Sequence, residues 1–541
     1  MNQFINDRNS VVTEAIDGML RISEGKLYRL DGYPHIKVVA RKDWDKSGVA
    51  LVSGGGSGHE PSHTGFVGNG MLTAAVCGEV FASPSVAAVL AGILSVTGSP
   101  GCLLIVKNYT GDRLNFGLAA ERARALGYKV RMVVVGDDVA LPELPQPRGV
   151  AGALFIHKIA GAMASTGANL DQIADVAERI AQTVSTIGMS LDTCTVPGFP
   201  KENRIEPGMA ELGLGIHGEP GIEQVSFSTA SAAMDLVIDR LEPHAQKGQL
   251  VALLNNLGGC TPIEMGILTN ALMCSRMGPR IQGVIAPSPL MTSLDMRGFS
   301  VSLFSPSISD LEALKLPVGP HAWPGYFQAT SVEVNPLPED LSPTHFNPSI
   351  HHPTRELIAK CCKLFTESEA ELNALDAKSG DGDTGSTLGT AAKSLQAKID
   401  VLPLADHGQL FQAISQVLSE SMGGSSGVLL AIFFAATGDS LTSGKNISQS
   451  LIDGLERIKQ VGGAQAGDRT MIDALEPALK VLEHHGIGKA ASAARNGADK
   501  TAAITNAKAG RASYVGAANL AGYNDPGAEA VAILFEMLAS D

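Results

Sequence analysis

Nowhere in the 541 residues does an apolar run approach the roughly 18 residues that a membrane span needs, which sets aside an integral membrane protein. The N-terminus, MNQFINDRNSVV, lacks the basic patch and apolar stretch of a signal peptide, so export is not expected and a cytoplasmic address is. No CxxC pair occurs among the seven cysteines, and their odd number argues for reduced, buried thiols rather than a disulfide framework. Basic residues are in deficit. With 41 Lys and Arg against 55 Asp and Glu, the formal net charge is −14, which disfavours nucleic acid or an anionic membrane as partner, because neutralising phosphates takes clustered cations. The phosphate-loop pattern GxxxxGKS/T is also absent, so a nucleotide, if bound, is held by another device.

What is present is the composition of a soluble globular protein, 44% hydrophobic and 18% charged, on a chain long enough for several packing units. In the first three fifths, apolar runs alternate with helical stretches: VALVS (49–53), CLLIVKN (102–108), VRMVVVG (130–136), QLVALLNN (249–256), GVIAPS (283–288) and FSVSLF (299–304). Their continuity predicts strands covered on both faces and joined by crossover helices, hence an α/β region. The helical segment from Val150 to Gly188 divides the strands into two groups, predicting two lobes within residues 1–333. Residues 334–352 form a proline-rich linker, and residues 353–541 show only helical periodicity, predicting an all-α bundle of about eight helices.

Two patterns mislead. HEPSH, His59 to His63, matches the zinc-peptidase pattern HExxH, but the glycines around it and Pro61 within it oppose the helix that pattern requires. GLGIHG, Gly213 to Gly218, matches the dinucleotide fingerprint GxGxxG, but Glu219-Pro220-Gly221 follows at once and would end the required helix as it began.

Two constellations remain. At the predicted strand ends, SGGGSGH brings backbone amides, Ser57 and His59; KNYTGD brings Lys107, Asn108 and Asp112; MAELGLGI leads into His217. Donors, a carboxylate and two imidazoles suit a small polyhydroxylated or carbonyl compound, although glycine turns with surface polar groups would read the same way. In the helical third, LDAKSGDGDTGST gathers Asp376, Asp381 and Asp383 just before a helix start near Thr384. Converging carboxylates call for a hard cation such as Mg²⁺, and the helix start for a phosphate; a solvated acidic turn is the alternative. MGGSSG, GDRTMIDAL and NDPGA add further glycine-rich helix starts. A small-molecule site on one half and a metal-phosphate site on the other point to phosphoryl transfer.

The order SGGGSGHEPSHTGFVGNGML, IVKNYTGDRLNFGLA, GLGIHGEPG, LDAKSGDGDTGST, MGGSSG, GDRTMIDAL, GRASYVG and NDPGA resembles the single-chain ATP-dependent dihydroxyacetone kinases over nearly the whole chain. The resemblance implies a two-lobed α/β ketose-binding kinase domain followed by an all-α eight-helix barrel that carries the nucleotide. It implies that His217 adds to the substrate carbonyl as a covalent hemiaminal. Asp112 would accept the proton of the terminal hydroxyl, and His59 and Lys107 would position and polarise the sugar in a pocket lined by Gly56, Ser57, Gly58 and His59. Asp376, Asp381 and Asp383 would bind two Mg²⁺ ions. ATP would be held by Thr384, Gly385, Ser386, Thr387, Ser425, Ser426, Gly462, Thr470, Met471, Asp525, Pro526 and Gly527. Fusion of both domains favours free ATP over a phosphoprotein donor. The resemblance further implies a domain-swapped homodimer, acceptance of D-glyceraldehyde and other short carbonyl sugars, with erythrulose or another short ketose as alternative main substrate, and leaves room for an FAD-cyclising side activity.

Overall fold

The computed structural model describes residues 3–32, 35–141, 146–338 and 344–540, which divide into two compact units, Met1–Glu333 and Val334–Asp541. Among them no helix is long and apolar enough to cross a membrane.

The first unit holds thirteen strands among its described residues. β1 (Leu27–Arg29), β2 (Lys37–Arg41), β3 (Ala50–Ser57), β4 (Ala74–Val80), β5 (Cys102–Lys107) and β6 (Val130–Val135) form one sheet in the order β1-β2-β4-β3-β5-β6. β7 (Ser185–Ser190), β8 (Met209–Leu212), β9 (Glu223–Ser226), β10 (Leu250–Asn256), β11 (Ile281–Ser288), β12 (Gly298–Phe304) and β13 (Tyr326–Gln328) form the other, in the order β13-β11-β10-β12-β7-β8-β9. The helices are α1 (Val11–Arg21), α2 (Val86–Val96), α3 (Thr110–Ala125), α4 (Ala153–Ser165), α5 (Leu170–Thr183), α6 (Ala230–Leu241), α7 (Pro262–Cys274) and α8 (Ile308–Lys315).

The six apolar runs all become strands, β3, β5, β6, β10, β11 and β12, and they fall into two sheets as expected. Three features differ from the expectation. Only β10–β11, joined through α7, is parallel in the second sheet; β12 returns antiparallel on β10 and the remaining pairs there are antiparallel too, so crossover units are the exception in that sheet. The helical stretch ends before Gly188, because Ser185–Ser190 is a strand paired with β12, its small residues buried in the sheet. The glycine run after VALVS is not a loop: β3 continues through it, with Gly54 opposite Val76 and Gly55 opposite Cys77. A Cβ at Gly54 would overlap the Val76 carbonyl, so glycine is what lets β3 and β4 approach this closely.

α4 belongs to the core shared by the two sheets. Its residues Ala153 to Ala162, ALFIHKIAGA, are all buried, packing in one cluster with Leu51, Leu103 and Ile105 of the first sheet and Leu253, Ile285 and Phe304 of the second. A helix apolar all round is one enclosed all round, and this one carries His157 and Lys158 into that enclosure.

The second unit is helical: α9 (His352–Glu367), α10 (Glu369–Asp376), α11 (Thr384–Lys398), α12 (His407–Ser421), α13 (Gly424–Thr442), α14 (Ile447–Gly462), α15 (Ile472–His485), α16 (Ile487–Thr501), α17 (Ala517–Leu520) and α18 (Pro526–Ala539). Eight of these have at least fourteen residues; α10 and α17 are short. Side-chain caps start α12 (Asp406), α14 (Asn446) and α18 (Asp525), each accepting a backbone N–H of the first turn.

Candidate active site

β3 and β5 are neighbours in the first sheet and run parallel, so their carboxyl ends open side by side. Lys107 closes β5, and the chain turns through Asn108 and Tyr109 into α3, placing Asp112 in its first turn. Lys107 Nζ and the Asp112 carboxylate flank Gly55: a Cβ there would stand 3.0 Å from Nζ and 3.4 Å from Asp112 Oδ2. Both side chains are 2% exposed. Burial lowers the Lys107 ammonium, and the nearby Asp112 charge opposes that fall.

His217 arrives from the second sheet, on the connection between β8 and β9. Its backbone N–H donates to Glu219 Oε2 at 2.9 Å, and its ring Nδ1 lies 3.1 Å from Glu219 Oε1. A carboxylate only accepts, so Nδ1 carries a hydrogen, and the neutral tautomer this contact selects is the one that presents its lone pair at Nε2. Burial alone would raise the Glu219 carboxyl, but the hydrogen bonds it accepts from His217, joined by the ring's charge when that ring is protonated, outweigh it and bring the group down to about 2. A Cβ at Gly215 would collide with the same carboxylate, which accounts for a glycine two residues before the histidine.

His59 lies edge-on to His217, ring centroids 4.8 Å apart, with Phe81 and Tyr109 completing the aromatic surround at 5.4 and 4.4 Å from His217. His59 Nδ1 is 2.8 Å from the Thr292 carbonyl and must donate to it, leaving Nε2 as an acceptor. Burial, Lys107 and His217 together hold His59 well below the usual imidazole range. His59 Nε2, Asp112 Oδ1 and the Tyr109 hydroxyl are buried without a protein partner. Beside them lies a cavity of about 310 Å³ lined by Gly56, Phe81, Ser83, Tyr109, Thr110, Gly111, Asp112, His217 and Glu219, at the small end of ligand pockets. Buried polar groups are normally paired, so these atoms ask for a ligand rich in oxygen.

The expected residues do not all face this cavity. Ser57 Oγ donates to the Gly78 carbonyl at 2.9 Å, and the Gly58 amide donates to Glu60 Oε2 at 2.9 Å. Asn108 Nδ2 donates to Pro147 O at 2.7 Å, fixing a neighbouring loop. Neither misleading motif has its helix: residues 59–63 and 213–218 are turns and bends. Glu219, Tyr109 and Phe81 were missed by the sequence reading. Glu219 and Tyr109 had a signal, since they stand inside the quoted HGEPG and KNYTGD segments; Phe81 had none.

In the helical unit, oxygen atoms of Asp376, Asp381 and Asp383 all lie within 4.8 Å of one another. Asp376 is buried and its Oδ2 accepts the amides of Asp383 at 3.0 Å and Thr384 at 3.1 Å, so it also caps the start of α11. Arg511 pairs with Asp381 and lies 3.8 Å from Asp383, which meets part of the negative charge from within the chain. A set of three carboxylate oxygens at this spacing fits a hard divalent ion. Thr384, Gly385, Ser386 and Thr387 make the first turn of α11, where Ser386 is engaged by Asn373 and Glu369 of α10. Met471 at the start of α15 touches Gly527: a Cβ on that glycine would stand 3.3 Å from Met471 Cβ. This joins Thr470 and Met471 to Asp525, Pro526 and Gly527 at the start of α18. Lys378 lies 5.9 Å over the Tyr523 ring, tying the acidic turn to the segment that enters α18. Gly462 packs on Leu429, about one helical turn from exposed Ser426; the side chain of Ser425 lies outside the described residues.

Residues 17–320 match the Dak1 domain and residues 378–540 the DAK2 domain. Over 99% of this chain and 98% of the relative, the sequence is 45% identical to the dihydroxyacetone kinase of Citrobacter freundii. It is 40% identical to a putative 3,4-dihydroxy-2-butanone kinase of Solanum lycopersicum, over 99% and 97% of the two chains. The crystal structure of the C. freundii kinase in complex with AMP-PNP and Mg²⁺ aligns with a TM-score of 0.70 and 43% identity, covering 100% of this chain and 99% of that one. The chain therefore belongs to the dihydroxyacetone kinase family, with both of that family's domains on one polypeptide, and is a kinase.

Proposed function

We propose that the chain transfers the γ-phosphoryl group of ATP to dihydroxyacetone, with the ketose held covalently on His217 by residues 1–333 and the nucleotide held by residues 353–541. The observation that carries this reading is the aim of His217: Glu219 clamps Nδ1, leaving Nε2 as a nucleophile beside a small cavity lined by Asp112 and Tyr109, each with an unpartnered oxygen, while His59, also unpartnered at Nε2, packs edge-on against the His217 ring. Nε2 bonds to the carbonyl carbon, the carbonyl pair moves to oxygen and takes a proton from solvent, and the ring sheds its Nδ1 proton past Glu219 to solvent, so that no net proton is gained or lost. A polyol offers no such carbon. His59 Nε2 accepts a substrate hydroxyl, Lys107 donates to a substrate oxygen, and Asp112 takes the proton of the terminal hydroxyl as its oxygen attacks phosphorus.

Asp376, Asp381 and Asp383 would hold two Mg²⁺ ions, which when bound offset charge on the transferring phosphoryl group. The starts of α11, α13, α15 and α18 would hold the nucleotide. D-glyceraldehyde and other short carbonyl sugars follow as further substrates, and the enzyme is placed in the cytoplasm as a domain-swapped homodimer.

ADP release with ATP and Mg²⁺ tests this reading, comparing dihydroxyacetone, D-glyceraldehyde, erythrulose and glycerol. Dihydroxyacetone is expected to give the highest kcat/KM and glycerol none. Equal turnover of ketone and polyol, or unchanged ketone turnover in His217→Ala, overturns the covalent role. A higher kcat/KM for erythrulose reassigns the main substrate, and a cyclic product from FAD would reveal the side activity in the same preparation.

A further inference from the structure

Lys107 ends a line of buried side chains that starts on α4. His157 Nε2 lies 3.2 Å from Ser53 Oγ, Ser53 Oγ lies 3.4 Å from His63 Nδ1, and His63 Nε2 lies 2.8 Å from Lys107 Nζ. Exposure along the line is 0%, 1%, 4% and 2%, so bulk solvent does not reach these groups.

An ammonium has donors only, so His63 Nε2 accepts and the ring hydrogen sits on Nδ1. Ser53 spends its one hydrogen on the Ile105 carbonyl at 2.7 Å, so its oxygen accepts from both imidazoles. His157 therefore carries its hydrogen on Nε2, and its bare Nδ1 is left without a partner. The second histidine of HEPSH thus belongs to a hydrogen-bonded line, with Ser53 and His157 fixing its ring.

We propose that His63, backed by Ser53 and His157, is a positioning residue that holds Lys107 as an ammonium aimed at the substrate oxygen beside Asp112. The proposal rests on Lys107 acting on substrate as set out above.

Six titratable groups face Lys107: His59, His63, Cys77, Asp112, Asp137 and His157. Burial and the Lys107 charge keep His59 and His63 well below the usual imidazole range and bring His157 to about 3, while burial pushes the Cys77 thiol up to about 12. The four groups other than the carboxyls are therefore neutral near pH 7. A neutral imidazole that accepts is the partner that satisfies a buried ammonium without adding a second positive charge.

His63→Leu removes the acceptor and keeps the bulk, whereas His63→Gln returns an acceptor through its carbonyl. An ammonium deprived of a charge-assisted bond loses its proton more readily, so the alkaline limb of kcat/KM should move down by about one to two pH units in His63→Leu. His63→Gln should move back towards the parent. Lys107→Met, measured alongside, separates the two ideas: if it retains parental activity, the role of Lys107 falls and the proposal with it. If Lys107→Met is impaired while His63→Leu keeps the parental pH profile, the role of Lys107 stands and the positioning proposal is overturned. A measurement on the unaltered enzyme guards against misfolding of the variants. Long-range proton–nitrogen correlation of histidine-labelled full-length protein should show hydrogen on Nδ1 of His63 and on Nε2 of His157; the opposite tautomer at His63 overturns the proposal.

Discussion

Glutamine at Glu219 tests how much of the reaction depends on the aim of one ring. The substitution keeps the shape and removes the charge from a group that accepts from both the His217 backbone at 2.9 Å and its ring at 3.1 Å. A hydrogen bond to a charged group contributes about 1.5–3 kcal/mol. The Glu219 side chain is 35% exposed, so water screens the pair and the lower half of that range applies. One ring bond at ~1.5–2 kcal/mol corresponds to roughly a 10- to 30-fold loss in kcat/KM. Glutamine can also offer an N–H where the carboxylate offered only acceptors, which would favour the wrong ring tautomer and deepen the loss. ADP release under subsaturating dihydroxyacetone gives the rate, and ¹³C NMR of ketone labelled at its carbonyl gives the adduct, whose signal should leave the ketone region less completely in Glu219→Gln. A folded variant with kcat/KM within twofold of the parent, and the same adduct population, would refute the reasoning that Glu219 sets the nucleophile.

Mixing His217→Ala with Asp381→Asn, each inactive alone, should restore about a quarter to a half of parental ADP release after subunit exchange if one chain's nucleotide unit serves another's substrate unit; no recovery in exchanged mixtures removes the domain-swapped arrangement. Asp525 is 8% exposed and burial raises its carboxyl to about 6, so the folded protein binds its proton more tightly than the unfolded chain. Stability from this group is therefore present below the unfolded value near 4 and lost as pH rises through 6, a shift of about two units or ~3 kcal/mol. Asp525→Asn keeps a cap at the start of α18 and should flatten the fall in melting temperature between pH 4 and 6, although it also removes the negative charge facing buried Arg469; an unchanged pH dependence by calorimetry contradicts this. Gly54→Ala places a methyl against the Val76 carbonyl and should lower the melting temperature, with a cost of about 1–3 kcal/mol, and reduce ketone affinity by displacing the strand that leads to His59. A parental melting curve would show that β3 and β4 can part without penalty.

The sequence made the strands with continuous apolar runs legible, because a buried strand leaves that trace whatever its neighbours do. MAEL, read as the strand that leads into His217, is β8, but the sequence hid β9, four largely exposed residues, and β7, whose STIGMS offers small residues rather than a branched run. Strand direction in the second sheet was equally hidden, since pairing partners lie far apart in sequence: β12 pairs with β7 across more than a hundred residues. Glycine misled at residues 54–56, where the usual link between glycine and loops gave way to close strand approach. At the cavity, Asp112, His59, Lys107 and His217 could be named because each stands in a short motif. Phe81 could not, since its place depends on the turn after β4 returning towards His59, a contact that only the folded backbone creates. His63 was visible only within a zinc pattern that Pro61 and the nearby glycines already opposed, and the bond to Lys107 is what gives it a neighbour.

His217 and Glu219 stand two residues apart on one connection, so the ring and the group that turns it travel together. His59 with His63, and Lys107 with Asp112, come from two stretches whose spacing depends on the first sheet and its surroundings. The carbonyl-capturing element is therefore modular in a way the rest of the pocket is not. Grafted with its glycines onto another β-hairpin, the segment Gly213–Gly221 would carry its own orientation with it, whereas a transplant of the phosphoryl-transfer groups would need most of a domain.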